Sequence, residues 1–430
     1  MTPDTAILKS VEQLGYRVTV GDVAANAGLE LNLAQSGLLA LASEAGGHLQ
    51  VADTGEIVYL FPKNFRAVLR NKYFGLKVRE WWSKVWKVLF YLIRMSFGIV
   101  LMLSILIMVV AAIIIKTALS SQDNDGGYGG DSGGGASFGW FPNFWWVFDP
   151  GYNSNYYERQ KYGDPEHKSL NFLEAIFSFL FGDGDPNAEL EKQRWQTIGN
   201  IIRNQKGAIA AQQLAPYLDN ITNFNDENED YILPVLSRFN GYPEVSPDGH
   251  IIYYFPELQV SAKKQTATDI APYLSEKKWK FSEASAGQLW GVIGLGTLNF
   301  GLAIFLGHLL HSDIVSQLGG FIAWVSSIYG LLLAYATGFL GIPFFRYFGV
   351  KGRNRGVEKR NSQRQVRADY LNVENETLTK KLEYAKKFAN QKVITEADIS
   401  YSTEKDLLDQ DIENSDKIDR EWQRRIEGHK

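Results

Sequence analysis

Two stretches of this chain have residue types and spacing that could do chemistry. Gly182-Asp183-Gly184-Asp185-Pro186-Asn187 places Asp183, Asp185 and Asn187 at alternate positions, as the first ligands of an EF-hand calcium loop are placed. The rest of that motif fails. Ala188 stands where the loop needs a Gly for its sharp turn, and Arg194 stands where a bidentate Glu closes the coordination sphere. The stretch reads as a turn leading into a helix. His308, His311 and Asp313 form the second cluster, and a metal centre there would need another ligand from elsewhere in the chain. Interfacial polar residues are the simpler reading. No nucleophile–base pair, phosphate-binding Gly loop or metal-ligand set is recognisable anywhere. The chain has no Cys, which removes disulfides, thiolate zinc sites and Cys-ligated iron–sulfur clusters. The expectation is a non-enzyme: catalytic residues none, cofactor-binding residues none, metal ligands none, and no small-molecule substrate.

The elements that would carry any site are easier to read. Val51–Pro62 returns as Val245–Pro256, 194 residues later, and each copy reads as a β-hairpin around a Gly turn, closed by Pro. Ahead of the first hairpin, apolar Ile7, Leu8, Val11 and Leu14 mark a helix over Thr5–Leu14. A second helix starts within Val18–Ala24, and a third covers Leu31–Ala45. The second copy runs in the same order, with helices at Trp195–Asn204 and Tyr231–Phe239 and a stretch at Ile209–Ala215 that matches Val18–Ala24. Three helices followed by a two-stranded wing is the order of a winged-helix domain.

That fold invites a DNA-binding reading, which electrostatics opposes. Residues 1–62 hold two bases and seven acids, and residues 195–256 hold three and seven. Lys and Arg must replace phosphate counterions for DNA to bind. Leu31–Ala45 has no base, and the third helix of the second copy has only Arg238. Protein–protein contact becomes the expected use, with no nucleic-acid partner.

Met95–Ile115 offers 21 uncharged residues, enough to cross a hydrocarbon core of about 30 Å. Leu289–Leu310 and Gly319–Phe345 are two further spans, joined as a hairpin. Gly287 and Gly291, and then Gly330, Ala334 and Gly338, recur at four-residue spacing as a small-residue packing stripe. No charged residue stands at the centre of a span, and Asn299 is a polar candidate there. Residues 63–94 carry nine Lys/Arg against Glu80, residues 117–158 carry five acids and no base, and residues 346–367 carry eight Lys/Arg against Glu358. Basic flanks stay on the cytoplasmic side, so both ends of the chain belong there. Three spans cannot satisfy both flanks: either a further crossing lies between residues 117 and 195, through Phe138–Phe148 or Leu170–Phe181, or one flank breaks the rule. Eleven aromatics within residues 138–162, after the Gly-rich tether 126–135, suit a headgroup region. The basic stretch after Arg346 suits anionic lipid headgroups or serves as an orientation signal alone.

A resemblance adds a setting. The block Leu170–Phe181, the turn Gly182–Asn187, Arg194-Trp195 and Gln213–Leu218 resemble a family of cyanobacterial and chloroplast membrane proteins whose plant members are loosely labelled as related to iron–sulfur cluster biosynthesis. The resemblance implies a photosynthetic source and a cyanobacterial plasma or thylakoid membrane, or a plastid membrane in plants. It carries over no catalytic residue, and a chain without Cys gives the iron–sulfur label no thiolate scaffold.

The sequence therefore predicts an α+β membrane protein with two winged-helix-like domains as an internal repeat, about three transmembrane helices and a charged helical tail. Its divisions are a first domain at 1–62, a basic connector at 63–94, a transmembrane helix at 95–116 and a tether with an aromatic, interfacial region at 117–194. A second domain follows at 195–258, a transmembrane hairpin at 289–345 and the tail at 346–430. The expected function is a membrane scaffold or assembly factor that contacts other proteins from the cytoplasmic side. A membrane-tethered transcription regulator and a transporter or channel component are the alternatives.

Overall fold

The computed structural model describes residues 4–72, 74–122, 170–219, 221, 224, 228–264, 266–312, 315, 317–373 and 375–427. The tether, the aromatic stretch 138–162 and Asp313 lie outside the described residues. The chain forms two compact units, one from residues 1–82, 186–278 and 356–430, the other from residues 83–185 and 279–355.

In the first unit, the Asp4 carboxylate caps the helix Thr5–Gln13 by accepting from Ala6 N at 2.8 Å, and the helix buries Ile7, Leu8 and Val11. Strand β1 (Arg17–Thr19) leads into the helix Val20–Ala27, where Thr19 and Asp22 bond each other's backbone N–H as a capping box. That helix ends on Gly28 in the left-handed region, and Leu31–Ala45 ends on Gly46 in the same way. Strands β2 (His48–Ala52) and β3 (Ile57–Leu60) form an antiparallel hairpin, and β1 pairs with β3. The second stretch has the helix Leu190–Asn204, β4 (Ala208–Ile209), two 3-10 turns at Ala211–Gln213 and Ala215–Tyr217, and the helix Leu233–Phe239. Strands β5 (Tyr242–Val245) and β6 (Ile251–Tyr254) follow, with β4 on β6. The helical stretch after β4 is only 3-10 because Pro216 supplies no N–H to an α-helical ladder.

What the sequence divides into two modules shares one core. Val23, Ala24 and Leu41 belong to the same buried cluster as Trp195, Ile198, Ile202 and Phe239. Gly199 permits the approach of the helices Val20–Ala27 and Leu190–Asn204: a Cβ there would lie 2.9 Å from both Cα and Cβ of Ala25.

The C-terminal stretch, expected as helical, also contributes strands. β7 (Val260–Ser261) pairs in parallel with β8 (Lys392–Val393), and β9 (Ile399–Ser402) joins the free edge of β2, giving the order β1-β3-β2-β9. The helix Glu376–Phe388 covers the other sheet, with Ala385 packed on Ala208 and Ile252 and Phe388 stacked on Tyr254 at 5.8 Å. Strands of two to four residues are too short to give a readable alternation in sequence. Their pairing satisfies a sheet edge that would otherwise stay open.

The second unit is built around three helices long and apolar enough to cross a membrane, drawn from Phe74–Gln122, Ala286–Leu310 and Phe321–Tyr370. The short apolar helix Phe172–Phe181 packs on them. The packing stripe read from sequence is displaced. Gly287, Gly330 and Gly338 each face open space, whereas Gly296 lies under Phe339 and Gly307 under Tyr329. A four-residue period finds a small-residue stripe, but the bulky rings of the neighbouring helix decide which glycine must make room.

Candidate functional site

The calcium-like loop becomes an ion-pair hub in the second unit. Asn171 and Glu174 cap the helix Phe172–Phe181 at its start, and Gly182, at φ +83°, ends it. This turn delivers Asp183 to three donors. Arg94 reaches Oδ1 at 2.6 Å, and Ser178 Oγ and the Glu283 backbone N–H, the latter at 2.9 Å, reach Oδ2. Both oxygens of the carboxylate are thereby engaged, so its chemistry here is pairing and capping. Arg346 completes the cluster by donating to the carbonyls of Ser178, Phe179 (2.6 Å) and Phe281, and its guanidinium lies 4.4 Å from the Phe281 ring centroid. Among the described residues no three His, Asp or Glu side chains gather as metal ligands.

The hub fixes which helix ends lie together. Arg94, Asp183, Glu283 and Arg346 share one end of the bundle, above a cluster of Leu101, Ile105, Phe179, Leu295 and Phe339. Met108, Ile115, Leu306 and Ile322 form the cluster toward the opposite end. Gln122 and Leu170 therefore belong to opposite ends of the bundle. Between the ends, Asn299 is fully buried and its Oδ1 accepts from Ser104 Oγ at 2.8 Å.

The histidine pair is not assembled into a site. The Nδ1 of His311 lies 2.6 Å from the carbonyl of Gly307 on its own helix, and His308 stays exposed.

In the first unit, the helix Leu31–Ala45 turns Leu31, Ala34, Leu38 and Leu41 inward and leaves Asn32, Leu33, Gln35, Ser36, Leu39, Ala40 and Ser43 exposed. That face carries no charge. On the helix Leu233–Phe239 the only base, Arg238, is turned inward: it donates to Gly28 O at 3.1 Å and its guanidinium sits 4.2 Å from the Trp195 ring. Burial lowers its pKa below the ordinary guanidinium value.

Three buried polar contacts escaped the sequence. Asp22 joins Arg203 at 2.6 Å while also accepting from the N–H groups of Thr19 and Ala262, each at 2.9 Å. Glu229 accepts from Lys381 at 2.7 Å, Gln212 at 3.0 Å and Tyr253 at 2.9 Å. Arg364, 1% exposed, binds Asp219 at 2.6 Å and Glu276 at 2.8 Å, and Arg360 grips Glu276 with two bonds of 2.7 and 2.6 Å. The Arg360 hydrogen bond, with help from the Arg364 charge, holds the Glu276 carboxyl below its usual range against its burial. The basic stretch after Arg346 is thus partly internal: Arg346, Arg360, Arg364 and Arg367 grip protein carbonyls or carboxylates. A charge count along the chain shows a basic run and is silent on which guanidinium finds a partner far away in sequence.

No family model and no solved structure matches the chain. It is 38% identical over 437 residues to an Arabidopsis thaliana protein named "Uncharacterized protein At5g03900, chloroplastic", covering 97% of this chain and 81% of that one. The name of that relative carries no iron–sulfur term.

Proposed function

We propose that this chain, which belongs to the family of the chloroplastic Arabidopsis protein, is a non-enzymatic scaffold or assembly factor of a plastid-type or cyanobacterial membrane. Its two repeated segments are winged-helix modules used for protein contact. The order helix, strand, helix, helix, hairpin in residues 5–60, and the matching strand orders β1-β3-β2 and β4-β6-β5, support the winged-helix reading. The chloroplast named for the relative supports the membrane.

The observation that carries the function is the exposed face of Leu31–Ala45. In a DNA-binding winged helix the third helix meets phosphates and base edges with basic and polar side chains. Here that face holds Leu33 and Leu39 among short neutral residues, 49% and 44% exposed. Such a surface suits a neutral protein partner and gives phosphate no counter-charge.

The test uses the full chain in its native membrane, cross-linked before solubilisation, against the variant Leu33→Arg/Leu39→Arg. The variant should lose a discrete set of cross-linked proteins while keeping the thermal stability of the parent. An unchanged cross-link pattern would remove the proposal's basis. So would a shift of duplex DNA by the solubilised chain at low salt, which would favour the regulator instead.

A further inference from the structure

We propose that the C-terminal helix Leu407–Glu427 pairs antiparallel with the same helix of a second copy of this chain. The helix is tied to the first unit near its start, where the Gln410 side chain accepts from Ser402 N at 2.7 Å and donates to Ser402 O at 2.8 Å. Among its described side chains, four large apolar ones stand in solvent: Leu408 is 72% exposed, Ile412 73%, Trp422 64% and Ile426 57%. With Ser415 and Asp419, also exposed, these positions follow a spacing of four, three, four, three and four residues. At 3.6 residues per turn they fall within an arc of about 80°. That is the narrow seam of a two-helix coiled coil, not the broad face of a helix seated on a globular core.

Charge selects the partner and its direction. From 407 to 416 the sequence has four acids, Asp409, Asp411, Glu413 and Asp416, and no base. From 417 to 425 it has four bases, Lys417, Arg420, Arg424 and Arg425, against Asp419 and Glu421. A parallel pair would set acid against acid along one half and base against base along the other. An antiparallel pair sets each acidic half beside a basic half, and a two-fold axis makes the contact self-complementary. The same register places Leu408 opposite the partner's Ile426 and Ile412 opposite the partner's Trp422. Ser415 then faces the partner's Asp419, a polar pair at the centre of the seam of the kind that fixes register. The charge polarity also suits the helix macrodipole, but the dipole asks for no apolar seam.

A membrane surface is a poorer occupant. Interfacial helices carry Lys and Arg on the polar face, whereas Leu407–Glu427 holds seven acids and four bases. An anionic leaflet would repel it. A pair of about three heptads is marginal when free in solution, and anchoring both copies in one bilayer raises their effective concentration.

The absence of Cys makes the register directly testable. Full-length Ile412→Cys and Trp422→Cys are reconstituted, separately and mixed, in neutral phosphatidylcholine vesicles and oxidised. The mixture should give disulfide-linked dimer at least about tenfold above either protein alone, and above a control mixture of Ile412→Cys with Arg424→Cys. Equal self-linking of Ile412→Cys alone would mean a parallel pair and overturn the proposal. No excess in the mixture would overturn it too. As a second readout, Leu408→Glu added to both cysteine variants should abolish the excess of disulfide-linked dimer in the mixed vesicles. A dimer that survives this change is held elsewhere, and the proposal falls.

Discussion

Removing the Asp22 carboxylate should loosen the packing of the helix Val20–Ala27 against the helix Leu190–Asn204. The side chain is 3% exposed and its partner Arg203 10% exposed, so the pair is shielded from water. Asp22→Ala leaves a guanidinium without its counter-charge, which costs about 3–5 kcal/mol when one partner of a buried pair is removed. The N–H groups of Thr19 and Ala262 lose their acceptor as well. These effects overlap, so the total should stay near 4–5 kcal/mol by the same reckoning. For a unit of this size about 2–4 °C is lost per kcal/mol, which predicts a fall in melting temperature of roughly 8–20 °C. Thermal unfolding of the detergent-solubilised chain, followed by tryptophan fluorescence, reads this through Trp195, which packs in the shared core. Arg203→Met supplies the second edge of a double-mutant cycle. The double variant should be less damaged than the sum of the single ones by at least about 2 kcal/mol. Additive losses, or a cost of Asp22→Ala below about 1 kcal/mol, would refute the view that this pair ties the two helices together.

Gly199→Val should cost roughly 1–3 kcal/mol in the same assay by overpacking, because its Cβ meets backbone and side chain of Ala25 at 2.9 Å; a neutral change would show that the helices can separate freely. Glu276 gives a pH dependence. Its folded pKa is depressed, so its stabilisation is present above the unfolded value, near 4.3, and is lost as pH falls through the lower folded value. Acid unfolding of Glu276→Gln should lack that component, and identical acid profiles for the two proteins would contradict it. Single-cysteine labelling tests the bundle ends: Lys280→Cys, three residues from the hub, and Ser312→Cys, just past the helix Ala286–Leu310, should react from opposite sides of a sealed vesicle. Reaction of both from one side would refute the arrangement of the bundle across a bilayer.

Local signals were legible where one element carried its own pattern. Leu31–Ala45 shows its buried stripe in sequence, and the apolar runs at 95–115, 289–310 and 319–345 fall within the three long helices except for Gly319 and Gly320, which precede the last one. The hairpins announce themselves through Gly55 and Gly249, both at positive φ in their turns. Contacts between distant segments were not legible. Asp183 reads as part of a turn leading into a helix, and only the fold brings Arg94 to it from 89 residues away. Arg364 looks like one more base in a cytoplasmic flank, yet it binds Asp219 across 145 residues.

By itself the sequence determined composition and period: no thiol chemistry, acidic segments at residues 1–62 and 195–256, and three helices of bilayer length. Periodicity is a property of one element and its own solvent boundary, so it survives in a linear text. The tertiary structure decided which glycine admits a ring, which carboxylate meets which guanidinium, and that the tail adds β9 to the first sheet. Those choices depend on side chains that approach across tens or hundreds of residues, and no local pattern records their distance.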